Sequence, residues 1–493
     1  MSLNENESTN IFHDQPEYSL VGLKAWKSAS RAARSMTKHS KIVNPVMEKQ
    51  IPRLLCEEVV VGELLGSGGF NDVFALEAVN LVKLPLTSEH ARKICSETQQ
   101  LHRNFLSQNA HRGSSGERRY AIKLLSQETI DDPERFRTGA ADLVIEAKFL
   151  ASLDHPNIIK LRGMAAAGTS GFASCKAMGY FLILDGLMST LADRLKEWKE
   201  QSLKLEHNYP LKLFDRGGKR DSAFLANRLH IAFNVACALR YLHENKIICE
   251  FSLSLYTNMS VNMKLQLTSL LLRVSFTDRD LKPENIGFDI HGDVKLFDFG
   301  LAKELDDNMK SGCSDFYEMS GNTGSLRYMA PEVALSEPYN LTADVYSFDL
   351  VLWHLCSLEV PYDGMNRCDH LTNVVKGSER PELNRSWSTQ IKILMKRSWD
   401  PNPLLRPSMD VISEILKREI SALRDGNEAG LEDVIPRSTN IFNSDCVAIP
   451  SHRLLSKQLS KITMNIRSIR PNFLGNLEVA DQQPISVRQA TAA

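Results

Sequence analysis

Asp280-Leu281-Lys282-Pro283-Glu284-Asn285 and, shortly after it, Val294-Lys295-Leu296-Phe297-Asp298-Phe299-Gly300 are the two stretches that decide how this chain is read. Asp280 and Asp298 supply carboxylates and Asn285 a side-chain amide. Three hard oxygen donors of this kind suit Mg2+. Lys282 adds a cation two residues from Asp280.

Toward the N-terminus, Gly66-Ser67-Gly68-Gly69-Phe70-Asn71 lies within EEVVVGELLGSGGFNDVFAL (57–76). β-Branched and apolar residues around a glycine cluster predict strand, tight turn, strand. Glycines there let the backbone close over phosphates with amide N–H groups as donors. Glycine turns are common, so this signal is weak by itself. YAIKLL (120–125) predicts a short strand carrying Lys123, which is either an exposed edge residue or a phosphate partner. Glu146 falls in ADLVIEAKFLASL (141–153), whose i, i+3, i+4 apolar spacing predicts a helix. It is either a solvated helix charge or the carboxylate that fixes Lys123.

Toward the C-terminus follow Gly324-Ser325-Leu326-Arg327-Tyr328-Met329-Ala330-Pro331-Glu332, then DVYSFDLVLWHLCSL (344–358), then Trp399-Asp400-Pro401-Asn402-Pro403-Leu404-Leu405-Arg406. In this order the motifs resemble the signature set of eukaryotic protein kinases. The resemblance implies an α+β, bilobal protein-kinase fold. Its small N-lobe would be an antiparallel sheet with one main helix, and its larger C-lobe mostly helical. The strand-rich first part and helix-rich second part agree with that layout.

By resemblance the chain is expected to transfer the ATP γ-phosphate to protein hydroxyls, using ATP and Mg2+. Asp280 would receive or orient the substrate hydroxyl proton, and Lys282 would steady the transferring group. Lys123, paired with Glu146, would hold the α- and β-phosphates; Asn285 and Asp298 would hold the metal. Gly66 to Asn71 and Val73 would cover the nucleotide. With Leu184 aligned to the gatekeeper, Asp185 and Leu187 would offer backbone groups to adenine. Ser325, at the substrate-binding P+1 position, would bridge to the catalytic Asp280 and Lys282, and Glu332 with Arg406 would form a structural ion pair. Lys282 and Ser325 favour the serine/threonine type, and the TGSLRYMAPE and SWDPNPLLRPSM runs look closest to the tyrosine-kinase-like group. Arg279 would receive a phosphate on Ser320 or Thr323.

Composition sets broad limits. A 43% hydrophobic and 24% charged chain is ordinary for a globular protein, and a net charge of −1 gives no whole-chain attraction to nucleic acid. The scattered cysteines form no CxxC pair, which argues against a disulfide framework and fits a reducing compartment. Neither a signal-peptide pattern nor a long apolar run is evident, so the expected address is cytoplasmic, with the nucleus open and no transmembrane segment. Three regions are expected: a mostly unpacked tail over 1–54, the kinase domain over 55–425, and a second unpacked tail over 426–493. In the first tail Lys24, Lys27, Arg31, Arg34, Lys38 and Lys41 would form one basic stripe on a helix. That stripe is either a solvated or disordered segment, or a docking or membrane-surface helix.

Two insertions depart from the family pattern. One, at about 77–117, contains LTSEHARKICSETQQLHRNFL and is expected to carry a helix between two strands. A long loop there adds little closure cost. The other, 249–278, separates KII (246–248) from Arg279-Asp280 and leaves Asp278 where the family has His or Tyr. Two readings stand. The segment displaces the catalytic loop and leaves a pseudokinase scaffold, or it is translated intron that the working protein lacks.

Overall fold

The computed structural model describes residues 19–82, 96–110, 118–207, 219–249, 281–300, 302–306, 308, 310–311, 315–319 and 326–425. All of them belong to one compact unit, Met1–Ala448. Asp280, Arg279, Ser320, Thr323 and Ser325 lie outside the described residues, as do 250–278 and the tail from 426.

The N-lobe opens with α1 (Leu20–His39) and α2 (Pro45–Gln50), which lead into β1 (Arg53–Leu54). The hairpin β2 (Val59–Ser67) and β3 (Asn71–Val79) follows, then α3 (Glu97–Asn109) and β4 (Tyr120–Leu125). After α4 (Gln127–Asp131) and α5 (Pro133–Ser152) come β5 (Leu161–Ala165) and β6 (Phe181–Asp185). The sheet runs β1-β5-β6-β4-β3-β2, antiparallel except for β1, which lies parallel to β5. Every residue of YAIKLL in β4 is buried. A short continuous apolar run suits such a central strand, covered on both faces. Helix α5 starts on Asp132, whose carboxylate accepts from the Glu134 and Arg135 amides, with Pro133 in the first turn.

Past β7 (Leu187–Thr190) the chain becomes mainly helical: α6 (Leu191–His207), α7 (Lys219–Glu244), α8 (Pro331–Ala334), α9 (Thr342–Ser357), α10 (Arg367–Asp369), α11 (Thr389–Ser398) and α12 (Met409–Asp425). Small strands β8 (Ile247–Ile248), β9 (Ile286–Asp289), β10 (Val294–Leu296) and β11 (Lys303–Glu304) thread between them. Ser222–Glu244 in α7 has the length and mean hydropathy, 1.2, of a membrane-crossing helix, which the search for long apolar runs overlooked. Its Val235, Ala236, Leu239 and Leu242 are buried, and α7 packs on α9 and α12, so a C-lobe core accounts for this composition.

Residues 19–54 correct one expectation. They are not an unpacked tail: α1 lies along α5, with Gly22, Ala25 and Ala29 buried. Ser19 caps the helix by accepting from the Gly22 amide, and Ser30 bonds Thr169. Small residues on the inward face escape a reading weighted toward large apolar side chains, yet they let two helix backbones come close. The described fold thus includes residues 19–54, ahead of the expected boundary at 55. The first insertion does carry a helix, α3. Gln99 ties it to the carbonyls of Lys49 and Ile51, and Arg103 pairs with the buried Glu58.

Candidate active site

Strand register places one group of side chains. Val73 lies opposite Lys123, Lys123 opposite Leu182, and Ala121 opposite Leu184. Directly opposed residues share a sheet face, as do residues two apart on one strand. Val73, Ala121, Lys123, Leu182 and Leu184 therefore line one face together.

Lys123 is 6% exposed, and its Nζ donates to Glu146 Oε1 at 2.9 Å, Glu146 Oε2 at 2.7 Å and Asp298 Oδ1 at 2.8 Å. Glu146, on α5, is no solvated charge; it is 1% exposed. Burial alone pulls the Lys123 pKa down, but the Asp298 and Glu146 carboxylates outweigh it and hold the ammonium above the ordinary lysine range. The group is a fixed cation. Asp298 has a left-handed backbone, φ 67°, held just before the buried Phe299. Backbone strain of this kind concentrates at functional sites and persists only where the surroundings enforce it.

The glycine turn sits over this face. Gly66 pairs with Val73 and Ser67 with Asp72 across the hairpin, and the Gly68 amide donates to the Asn71 carbonyl at 2.7 Å. A Cβ at Gly66 would meet nothing within 4 Å, and one at Gly68 only the Asn71 carbonyl oxygen at 3.5 Å. Neither glycine has the positive φ that would demand one. The chain's own packing does not call for glycine here, so the missing side chains leave room for a ligand to approach the backbone. Asn71 is buried, and its Oδ1 has no hydrogen-bond partner among the described residues. The turn is tied to α5 and to the start of α4 as well: Arg135 of α5 donates to the Gly69 carbonyl at 2.6 Å, and the amide of Ser126, just before α4, to that of Phe70 at 2.9 Å.

Leu184 is buried at the end of β6. The Asp185 carboxylate is clasped by Arg162, Nε to Oδ1 at 2.6 Å, and the Gly186 amide donates to the Arg119 carbonyl at 2.8 Å. Leu187 begins β7, paired with Asp289. The expected hinge residues thus join the two sheets.

On the C-lobe side, Asn285 and Asp298 line one small cavity with Cys249, Leu281, Leu296, Phe297 and Phe299. A carboxylate and an amide oxygen on one cavity form a donor pair of the type Mg2+ shares with substrate phosphates. Lys282 is buried beside it, and its carbonyl accepts from the Asn285 amide. The Arg406 guanidinium grips Glu332 in a fork, Nη1 to Oε1 at 2.6 Å and Nη2 to Oε2 at 2.9 Å. It also stacks 5.2 Å from the Tyr346 ring centre.

Two features escaped the sequence reading. The first is an anchor at the edge of the second insertion. Asp344, 1% exposed, accepts from His243 Nε2 at 2.9 Å and from the Cys249 amide at 3.0 Å. Lys303 and Glu304 of β11 pair with β8 just before it. Cys249, just after that strand, is therefore fixed by Asp344. Both flanks, Ile247–Cys249 and Leu281–Asn285, are held in place. The second feature is α1 itself. Lys148 on α5 donates to Glu48 at 2.6 Å and to Thr37 at 3.2 Å, and the Asn44 amide donates to Ser152 at 3.0 Å. The Lys41 amide reaches Glu304 Oε1 at 2.9 Å. The N-terminal element therefore braces the helix that carries Glu146 and touches the segment that follows Asp298.

Fold and site together have the arrangement of a bilobal protein-kinase fold. Residues 269–419 match the protein kinase domain model. The chain is similar to the serine/threonine/tyrosine-protein kinase HT1 of Arabidopsis thaliana, at 26% identity over 64% of this chain and 64% of that protein. It is also similar to serine/threonine-protein kinase CTR1 of the same plant, at 28% identity over 45% of this chain and 23% of that one. Dual specificity protein kinase shkD of Dictyostelium discoideum is 34% identical over 36% of this chain and 23% of its own length. The chain thus spans less than two thirds of the length of each of these relatives. Over the matched segments the chain is similar to protein kinases of plants and Dictyostelium.

Proposed function

We propose that this chain is an ATP- and Mg2+-dependent protein kinase that phosphorylates serine and threonine hydroxyls. The observation that carries the proposal is the buried Lys123 ammonium, held at once by Glu146 and Asp298 beneath a turn whose Gly66 and Gly68 are not required by its own packing. A cation fixed in this way needs no reorganisation when it meets phosphate oxygens. Asp298 and Asn285 would hold magnesium, whose charge offsets that of the phosphates.

In the proposed reaction the acceptor Oγ–P bond forms as the bond between Pγ and the β,γ-bridging oxygen breaks. The hydroxyl proton passes to the Asp280 carboxylate, and Lys282 offsets charge on the moving phosphoryl group. Lys282 and Ser325 support serine/threonine specificity. The dual-specificity name of one relative leaves tyrosine as the alternative the experiment separates.

The test is transfer of labelled γ-phosphate to a generic basic protein by wild type and by Asp280→Asn, followed by phosphoamino-acid analysis. The proposal expects label on serine and threonine with wild type, and a loss of at least about 100-fold in the variant, the span typical of a lost general base. Equal incorporation by both proteins, or label confined to tyrosine, would overturn it. A third sample, lacking 250–278, separates the two readings of the insertion. Activity only in that sample makes the segment an interruption of an otherwise competent enzyme, and inactivity in every sample leaves the pseudokinase scaffold.

A further inference from the structure

The cationic face of α1 is not used by anything described so far. Lys24, Lys27, Arg31, Arg34 and Lys38 are all exposed, and none forms an ion pair among the described residues. The helix contains no Asp or Glu to offset them. At 3.6 residues per turn they fall within an arc of about 80°, along about 21 Å of helix. Gly22, Ala25, Ala29, Ala33 and Met36 occupy the opposite arc, which faces the core.

This division of the helix narrows what can bind. A helix that enters a membrane surface needs a free apolar face beside its cations. Here Trp26, Ala33 and Met36 are packed against the core, so that face is already taken. Single-stranded nucleic acid calls for exposed aromatic platforms as well as charge. Trp26 is the single aromatic residue of α1, and it is packed inward. What remains is a single file of cations, one about every 4.5–6 Å. An extended polypeptide places alternate side chains on one side about 6.6 Å apart. Acidic residues spaced in that way would meet the cations in turn. Beside the file lies a shallow, open depression lined by Ala33, Arg34, Thr37, Lys38 and Lys148.

We infer that the outer face of α1 is a docking surface for an acidic polypeptide segment of a partner protein. The surface lies on the helix that braces α5, so its occupant also bears on the position of Glu146. The inference does not depend on catalysis and stands whether or not the chain transfers phosphate.

The test measures binding of fluorescein-labelled decaglutamate to the full chain by anisotropy, at low and at physiological salt. The comparison protein is the triple charge reversal Lys27→Glu/Arg31→Glu/Arg34→Glu, with Lys27→Gln/Arg31→Gln/Arg34→Gln as a milder variant should the reversal disturb folding. Phosphatidylcholine vesicles containing phosphatidylserine and a single-stranded RNA of equal charge are run in parallel. The expected result is salt-sensitive binding of decaglutamate by wild type that weakens at least tenfold in either variant, with unchanged thermal stability. Equal binding by wild type and variants, no binding by wild type, or binding of vesicles or RNA in preference to the peptide would each overturn it. Residues 1–18 carry Glu5, Glu7, Asp14 and Glu17 and no Lys or Arg. Binding that appears only once they are removed would assign the surface to the chain's own N-terminus, and likewise overturn an external partner.

Discussion

Lys123 donates to two carboxylates from different elements, and each makes a separate demand on the fold. Glu146 requires α5 to stand close to the sheet, and Asp298 requires the segment after β10 to turn through a left-handed residue. Replacing Glu146 by Gln keeps a hydrogen-bond acceptor but removes one of the two carboxylate charges facing the ammonium, leaving an ion–dipole bond in place of an ion pair. Such bonds differ by about 1–2 kcal/mol, which corresponds to about a tenfold fall in turnover if the ammonium's position matters. Steady-state phosphate transfer by Glu146→Gln measures it, and turnover equal to wild type would show that the pair is not required. This triad was legible in part. The motif order named all three residues, but Glu146 could have been a solvated helix charge; only the distances and its burial decide.

At the level of elements, α1 sets how firmly α5 is held. A Cβ at Gly22 would meet the Ala173 carbonyl oxygen at 2.6 Å and Cys175 Sγ at 2.7 Å. Backbone cannot yield as a flexible side chain does, so Gly22→Val should lift the start of α1 and cost about 1–3 kcal/mol, as overpacked contacts do. Because α1 braces the Glu146 helix through Lys148, phosphate transfer measured well below the melting temperature should fall too. A destabilised Gly22→Val enzyme with full specific activity would make α1 a passive cover. Composition concealed this helix because its core face is made of Gly and Ala while its outer face is basic. The same limit applied at Cys249. Spacing marked an insertion, but only the Asp344 hydrogen bond shows that the residue just after the strand is fixed. The α3 helix was legible because its insertion carries a helix-length polar segment between two apolar strands.

Across the whole molecule, buried titratable groups shape the response to acid. His155, His354 and His370 each have a pKa lowered to about 4, by burial first and then by nearby cations: Lys160 beside His155, and Arg327 beside the other two. An unfolded imidazole takes up its proton near pH 6.5, whereas these stay neutral in the folded chain until about pH 4. Their contribution to stability is therefore complete above pH 6.5 and is lost as pH falls toward 4. Each can remove up to about 1.4 kcal/mol per pH unit in that window. His155 Nδ1 accepts from the Asn157 amide, a bond that an Asn side chain can copy. His155→Asn should accordingly give a shallower decline in melting temperature between pH 7.5 and 5.5, and an unchanged slope would remove His155 from this account. The two-lobed architecture was legible from the shift of strand patterns to helix patterns along the chain. The acid response was not, since burial of single histidines depends on packing that no motif records.

The central claim is that Lys123 and Asp298, meeting under the glycine turn, form the seat of a nucleotide's phosphates. Thermal stabilisation by MgATP tests it most directly, because it reads binding without requiring an acceptor or turnover. At a nucleotide concentration 100-fold above the dissociation constant, binding adds about 2.7 kcal/mol to the folded state, enough to raise the wild-type melting temperature measurably. The account predicts that this rise occurs in wild type and is lost in both Lys123→Met and Asp298→Asn. A rise of the same size in all three proteins would contradict it.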